Sequence, residues 1–119
     1  MIVPNTVNLD IAAAVVRDII VWIEDDLSKP MSIKSVAAKA GYSPWHFQRI
    51  FSIHVGISIA RYIRTLRVEY AAEMLKAIDT PVADICNSVG FEDSSVFGRA
   101  FRLRYGMTPS EYRELTYAS

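Results

Sequence analysis

The feature that most limits what this chain can become is an internal repeat. The stretch "VAAKAGYSPWHFQRIFSIHVG", residues 36 to 56, aligns with "ICNSVGFEDSSVFGRAFRLRYG", residues 85 to 106, with one inserted residue in the second turn. Gly41 then falls on Gly90, Tyr42 on Phe91, Phe47 on Phe97, Arg49 on Arg99, Phe51 on Phe101 and Gly56 on Gly106. In each copy a short helix stops at a glycine and the chain turns within a few residues. A second helix follows, with aromatic anchors one turn apart. That is a helix-turn-helix, made twice.

Periodicity in the rest of the chain predicts helices and no strand, an all-α fold of seven helices. Ile11, Val15, Ile19, Trp22, Ile23 and Leu27 keep helical spacing, so helix one is expected over about Asp10 to Leu27, closed by Pro30. Ser32 and Ser43 cap helices two and three. Helix four is expected over Ser58 to Ala77, with Ile59, Tyr62, Ile63, Leu66, Tyr70, Ala71, Met74 and Leu75 on its apolar face. Thr80 is expected to cap helix five with Pro81 at its first position, Asp93 to cap helix six, and Thr108 to form a capping box with Glu111 for helix seven. The expected organisation is residues 1–57 with the first helix-turn-helix, 58–77 as a linker helix, and 78–119 with the second helix-turn-helix and the last helix. Together they are expected to make one compact unit.

Several function classes drop out early. The longest apolar runs are far shorter than the ~18 residues of a membrane span, and Arg17 and Asp18 interrupt them. No membrane role is expected, and the absence of a leader pattern points to a cytoplasmic protein. Cys86 is the only cysteine and sits among Ala83, Ile85 and Val89, which suits a small buried side chain in a reducing compartment. His46 and His54 are eight residues apart, too far to chelate one metal on a straight helix. With no phosphate loop, nucleophile motif or matched carboxylate pair, neither catalysis nor a metal or other cofactor is expected. Thirteen basic and thirteen acidic residues cancel, which is not the usual footprint of a nucleic-acid binder. Their distribution is uneven: residues 1–30 carry two basic and five acidic side chains, and residues 31–119 carry eleven and eight.

The third helix carries the chemistry. At ~100° per residue, Phe47, Ile50 and Phe51 share one arc, while Trp45, Gln48, Arg49 and Ser52 share the opposite one. An amide and a guanidinium side by side on the second helix of a helix-turn-helix are the groups that read base edges. Arg pairs with guanine and Gln with adenine, and an indole packs on a thymine methyl or the sugar backbone. Trp45 alone reads equally well as the rim of a small core; its company favours DNA. Ser52 lies on the same arc, within reach of the phosphates, and His46 lies between the arcs, as either a structural histidine or a phosphate contact.

On the sixth helix Ser95, Gly98, Arg99 and Arg102 oppose Phe97, Ala100 and Phe101, with Ser94 at the helix start. Shorter side chains here imply more phosphate or shape readout, to which Arg102 belongs. A mid-helix glycine such as Gly98 costs roughly 1 kcal/mol against alanine, which is either simply tolerated or explained if the helix backbone must approach something closely. The twenty residues 58–77 would span about 30 Å, near the ~34 Å between successive major-groove faces. Among Arg61, Arg64 and Arg67 on that helix, a phosphate clamp and an internal ion-pair partner are equally open readings, with Arg61 assigned to the DNA backbone.

The segment "GISIARYIRTLRVEYAAEMLKAIDTPVADICNSVGFEDSSVFGRAFRLRYGMTPSEYR", 56 to 113, resembles the signature of the AraC/XylS family of bacterial transcription regulators. Upstream, "AAKAGYSPWHFQRIF" is similar to the MarA, SoxS and Rob subgroup. The resemblance implies that Trp45, Gln48 and Arg49 enter one major groove of double-stranded DNA and that Ser94, Ser95 and Arg99 enter the next. It also implies a DNA-bound, nucleoid-associated monomer that bends its site and activates transcription through RNA polymerase. Ser94 and Ser95 replace a glutamine pair of that subgroup, so the second half-site is expected to be read differently.

Two other readings stand beside this one. The chain could be the DNA-binding part of a longer ligand-sensing regulator, although Met1 and the run-up to Arg17 read as a natural start. Alternatively, its acidic, broadly apolar first helix could mark a protein-docking module. The Trp45, Gln48 and Arg49 stripe discriminates against docking, which does not require it.

Overall fold

The computed structural model describes the backbone of residues 3–77 and 79–118 and the side chains of residues 11–77 and 79–116. Among the described residues there are seven helices and no strand. They are α1 (Val3–Asp25), α2 (Ile33–Ala40), α3 (Pro44–Val55), α4 (Ile59–Met74), α5 (Val82–Ser88), α6 (Ser94–Tyr105) and α7 (Pro109–Ala118).

Helix starts follow their caps. Ser32 Oγ accepts from Ser35 N–H, and Ser35 Oγ accepts in return from Ser32 N–H, closing a capping box on α2. Thr108 and Glu111 close another on α7, with Glu111 Oε1 accepting from Thr108 N–H at 2.8 Å and Thr108 Oγ1 from Glu111 N–H at 3.1 Å. Those hydrogen bonds hold the Glu111 carboxyl below its ordinary pKa. Helix α5 departs from expectation. Pro81, not Thr80, is its cap residue and supplies only its carbonyl, which accepts from Asp84 and Ile85. The Thr80 carbonyl is occupied elsewhere, accepting from Arg113 Nη2 at 2.6 Å.

Two helices differ from expectation in length and face. Helix α1 begins at Val3 rather than near Asp10, with Pro4 in the first turn, where a missing N–H does no harm. Among its described side chains the buried ones are Ala12, Val16, Ile19, Ile23 and, just past its end, Leu27; Ile11 is exposed. Helix α4 ends at Met74, three residues short of the expected Ala77, and its 16 residues span about 24 Å. Val68 is buried on it, while Tyr70 and Met74 face solvent.

The chain forms two compact units. Residues 1–26 and 31–62 make the first, and residues 27–30 and 63–119 the second. The first is centred on Phe47 and Phe51, both fully buried with ring centroids 6.0 Å apart, and on Val36, Ala37, Ile19 and Ile23. The Tyr62 ring meets Phe51 edge-on at 5.5 Å, and its hydroxyl donates to Glu24 Oε2. In the second unit Phe97 and Phe101 repeat this pair at 5.9 Å, surrounded by Val68, Ala71, Leu75, Ile85, Cys86 and Val89. Tyr112 meets Phe101 edge-on at 5.4 Å, as Tyr62 meets Phe51. The repeat therefore runs on into the following helix: Gly56-Ile57-Ser58 to Tyr62 matches Gly106-Met107-Thr108 to Tyr112 in spacing and role.

Within the second unit two arginines tie down backbone that lacks helical partners. Arg67 donates from Nε to the Leu27 carbonyl and from Nη2 to the Lys29 carbonyl, each at 3.0 Å. It is thus neither phosphate clamp nor carboxylate partner. Burial lowers its pKa, with Glu92 opposing the shift. Arg113 does the same for the turn after α4, reaching the carbonyls of Leu75, Ala77 and Thr80. Charge-assisted bonds to carbonyls left over at helix ends are a strong way to hold such turns. Gly90 is the counterpart demand: its φ is +97°, and a Cβ there would collide with the Leu27 carbonyl and lie 2.8 Å from Arg67 Nε. Cys86 is buried beneath, its thiol pushed up in pKa by burial and then by Asp93. A protonated, enclosed thiol is a packing group.

Candidate nucleic-acid interface

Helix α3 is set in place at both ends. Ser43 Oγ accepts from His46 N–H, Pro44 fills the first turn, and Gly56 ends the helix with a left-handed φ of +93°. Burial of Phe47 and Phe51 then fixes the rotation of the helix about its axis. On the opposite arc Trp45, Gln48, Arg49, Ser52 and Ile53 line one open, shallow depression. This is the grouping the angles predicted, with Ile53 added. Trp45 is 69% exposed, an unusual state for an indole, and the Arg49 guanidinium lies 5.2 Å from its ring centroid. The cation–π contact orders the guanidinium while leaving its outer N–H groups available. His46 is exposed and meets the Tyr42 ring edge-on at 5.1 Å, so it flanks the depression rather than lining it. Arg61 is exposed on α4; the Ser58 hydroxyl accepts from its backbone N–H, not from its side chain.

Helix α6 is built the same way with different surface chemistry. Ser94, Ser95, Arg99 and Arg102 are exposed on the arc away from Phe97 and Phe101. Gly98 lies among them, and a Cβ there would meet nothing within 4 Å, so no internal packing requires glycine. The helix start is also different. Asp93 Oδ1 accepts from Ser95 N–H at 2.7 Å and from Val96 N–H at 3.4 Å. A carboxylate thus occupies the positive end of α6, whereas the neutral Ser43 caps α3. Phosphate is therefore met more favourably at the start of α3. Near the other end, Arg104 is held by the Glu69 carboxylate at 3.3 Å and by the Tyr105 ring, which leaves Arg99 and Arg102 as the cations of the outer arc.

Sequence reasoning missed Ile53. The signal was present in the repeat, because "FQRIFSI" and "FGRAFRL" put Ile53 and Leu103 at the same position of the two copies.

Comparison with known proteins tests what such a pair of helices belongs to. The family described as a helix-turn-helix domain matches residues 36–115. Regulatory protein SoxS of Escherichia coli is 36% identical over 99 residues, covering 83% of this chain and 92% of SoxS. The chain belongs to the AraC-type helix-turn-helix family of transcription regulators. Within the AraC-type family it is also 41% identical to the transcriptional regulator Rob of Salmonella typhimurium over 101 residues. That match covers 85% of this chain but spans about a third of Rob, 35% of its length. Among solved AraC-type structures, the DNA-binding domain of AdpA in complex with a target DNA superposes with a TM-score of 0.83 at 25% identity. The superposition covers 87% of this chain and 93% of that domain.

Proposed function

We propose that this AraC-type chain is a sequence-specific DNA-binding transcription activator that reads an asymmetric duplex site as a monomer, with α3 and α6 in adjacent major grooves. The observation that carries the reading is the outer arc of α3, where an exposed indole, amide and ordered guanidinium share one depression. Trp45, Gln48 and Arg49 contact base edges of the first half-site, and Ser94, Ser95 and Arg99 those of the second. His46, Ser52, Arg61 and Arg102 grip phosphates. Short side chains and the carboxylate cap make α6 the weaker reader, dependent on DNA shape. Similarity to SoxS and Rob supports the activator role, with RNA polymerase as partner in the cytoplasm at the nucleoid.

In vitro selection from random duplexes, followed by binding of the winner and a scrambled control across a salt series, tests this. Two preferred blocks about one helical turn apart, bound by one chain per duplex, are expected. A single block would remove α6 from base reading, and no enrichment would remove DNA reading altogether. With no net charge, the chain has a modest nonspecific term, and affinity at high salt should be poor.

A further inference from the structure

We propose that Ile53 and Leu103 are specificity-determining residues, each packing on the C5-methyl of a thymine in its half-site; the inference rests on the DNA reading above. Ile53 is 65% exposed and Leu103 85% exposed. A lone exposed aliphatic side chain needs no explanation. These two are not independent accidents, because they occupy the same register in the two copies, six residues after Phe47 and Phe97, on the two helices assigned to the grooves. Ile53 also lines the same depression as Trp45, Gln48, Arg49 and Ser52.

The chemistry narrows what such a side chain can do there. An aliphatic group neither donates nor accepts, so it cannot grip phosphate or pair with a base edge. The one apolar feature of the major groove is the thymine methyl. Ile53 stands one helical turn, ~6 Å, beyond Arg49, and so addresses a base within about two pairs of the one Arg49 reads. Leu103 stands in the same relation to Arg99. At both positions the preference is for thymine, and it is independent of the hydrogen-bonding pattern that Arg49 and Gln48 recognise.

The test uses the full chain and its selected duplex, with deoxyuridine replacing thymidine one position at a time, which removes only the methyl. For the wild type, one replacement in each block should weaken binding about fourfold, the value of burying one methyl. Ile53→Ser should bind the thymidine site about as weakly and be indifferent to the replacement in the first block, while Ile53→Val should keep the wild-type response. Leu103→Ser should behave likewise in the second block. Both positions are exposed, so an unchanged circular dichroism melt is expected of each variant. A methyl effect that persists in Ile53→Ser or Leu103→Ser overturns the assignment for that residue. So does a selected block with no thymine within two pairs of the base lost in Arg49→Ala or Arg99→Ala. Failure of the selection to enrich any sequence would instead defeat the DNA reading itself.

Discussion

Gly41 and Gly90 occupy the same place in the two copies, and replacing each with alanine separates conformational strain from lack of space. Both glycines have left-handed φ, +84° and +97°. An L-residue there costs about 1–2 kcal/mol. At residue 41 a Cβ meets nothing within 4 Å, so Gly41→Ala should lose about that much and no more. At residue 90 the new methyl would collide with the Leu27 carbonyl and must also displace Arg67, whose Nε and Cζ would lie 2.8 and 2.9 Å away. Displacement breaks two charge-assisted bonds, to the Leu27 and Lys29 carbonyls. Discounted for the guanidinium's partial access to water, these add roughly 2 kcal/mol, so Gly90→Ala should lose at least about 3–4 kcal/mol, before the shift forced on the Leu27 backbone is counted. Urea unfolding followed by far-UV circular dichroism measures both variants. A double-mutant cycle with Arg67→Ala should show coupling, because the alanine at 90 no longer has a guanidinium to evict. Equal losses at 41 and 90, together with an unchanged Gly90→Ala penalty in the Arg67→Ala background, would refute the packing argument.

Four further outcomes are expected. Arg49→Ala should lose about 1–3 kcal/mol on the selected site and relax preference at one base pair, seen by comparing affinities for the four substitutions at each position. Arg102→Ala should weaken binding on every sequence and make the salt dependence shallower by about one phosphate contact, read from a log–log salt titration. Gly98→Ala should raise stability by about 1 kcal/mol, because its methyl has open space, while lowering DNA affinity if the duplex backbone approaches there. Glu111 has a depressed pKa in the folded state, so its capping contribution is present above the ordinary carboxylate range and is lost as pH falls through and below ~4.3. Urea midpoints should fall between about pH 5 and pH 3 more steeply for wild type than for Glu111→Gln.

The parts of the fold legible in the sequence were those set by neighbours within a turn or two. Ser43, Asp93 and the Thr108–Glu111 pair cap by reaching three residues along the chain, and the Phe47–Phe51 and Phe97–Phe101 pairs fix the rotation of their own helices. The outward arc of α3 follows from that rotation. Faces on α1 and α4 were harder. Helix α1 carries apolar residues nearly all round, so periodicity alone did not favour Val16 over Ile11, and contacts from α2 and α3 made the choice. On α4, Tyr70 and Met74 have the spacing of core residues, yet they face solvent while Val68 and Ala72 are enclosed. Arg67 and Arg113 act on carbonyls 36 to 40 residues away or close to it, and no local pattern announces a bond to backbone. Thr80 was misread for the same reason: its carbonyl was taken by a side chain 33 residues downstream.

The short segment Leu27–Pro30 belongs to the second unit although the chain on both sides of it belongs to the first. The two units are therefore interleaved along the chain, and no single cut divides them. A scission between Tyr62 and Ile63 would give an upstream piece carrying away four residues of its neighbour, and a downstream piece whose Arg67 has lost both carbonyl acceptors. The two helix-turn-helix copies resemble each other, yet any continuous stretch of chain that carries the whole of one unit also carries residues of the other.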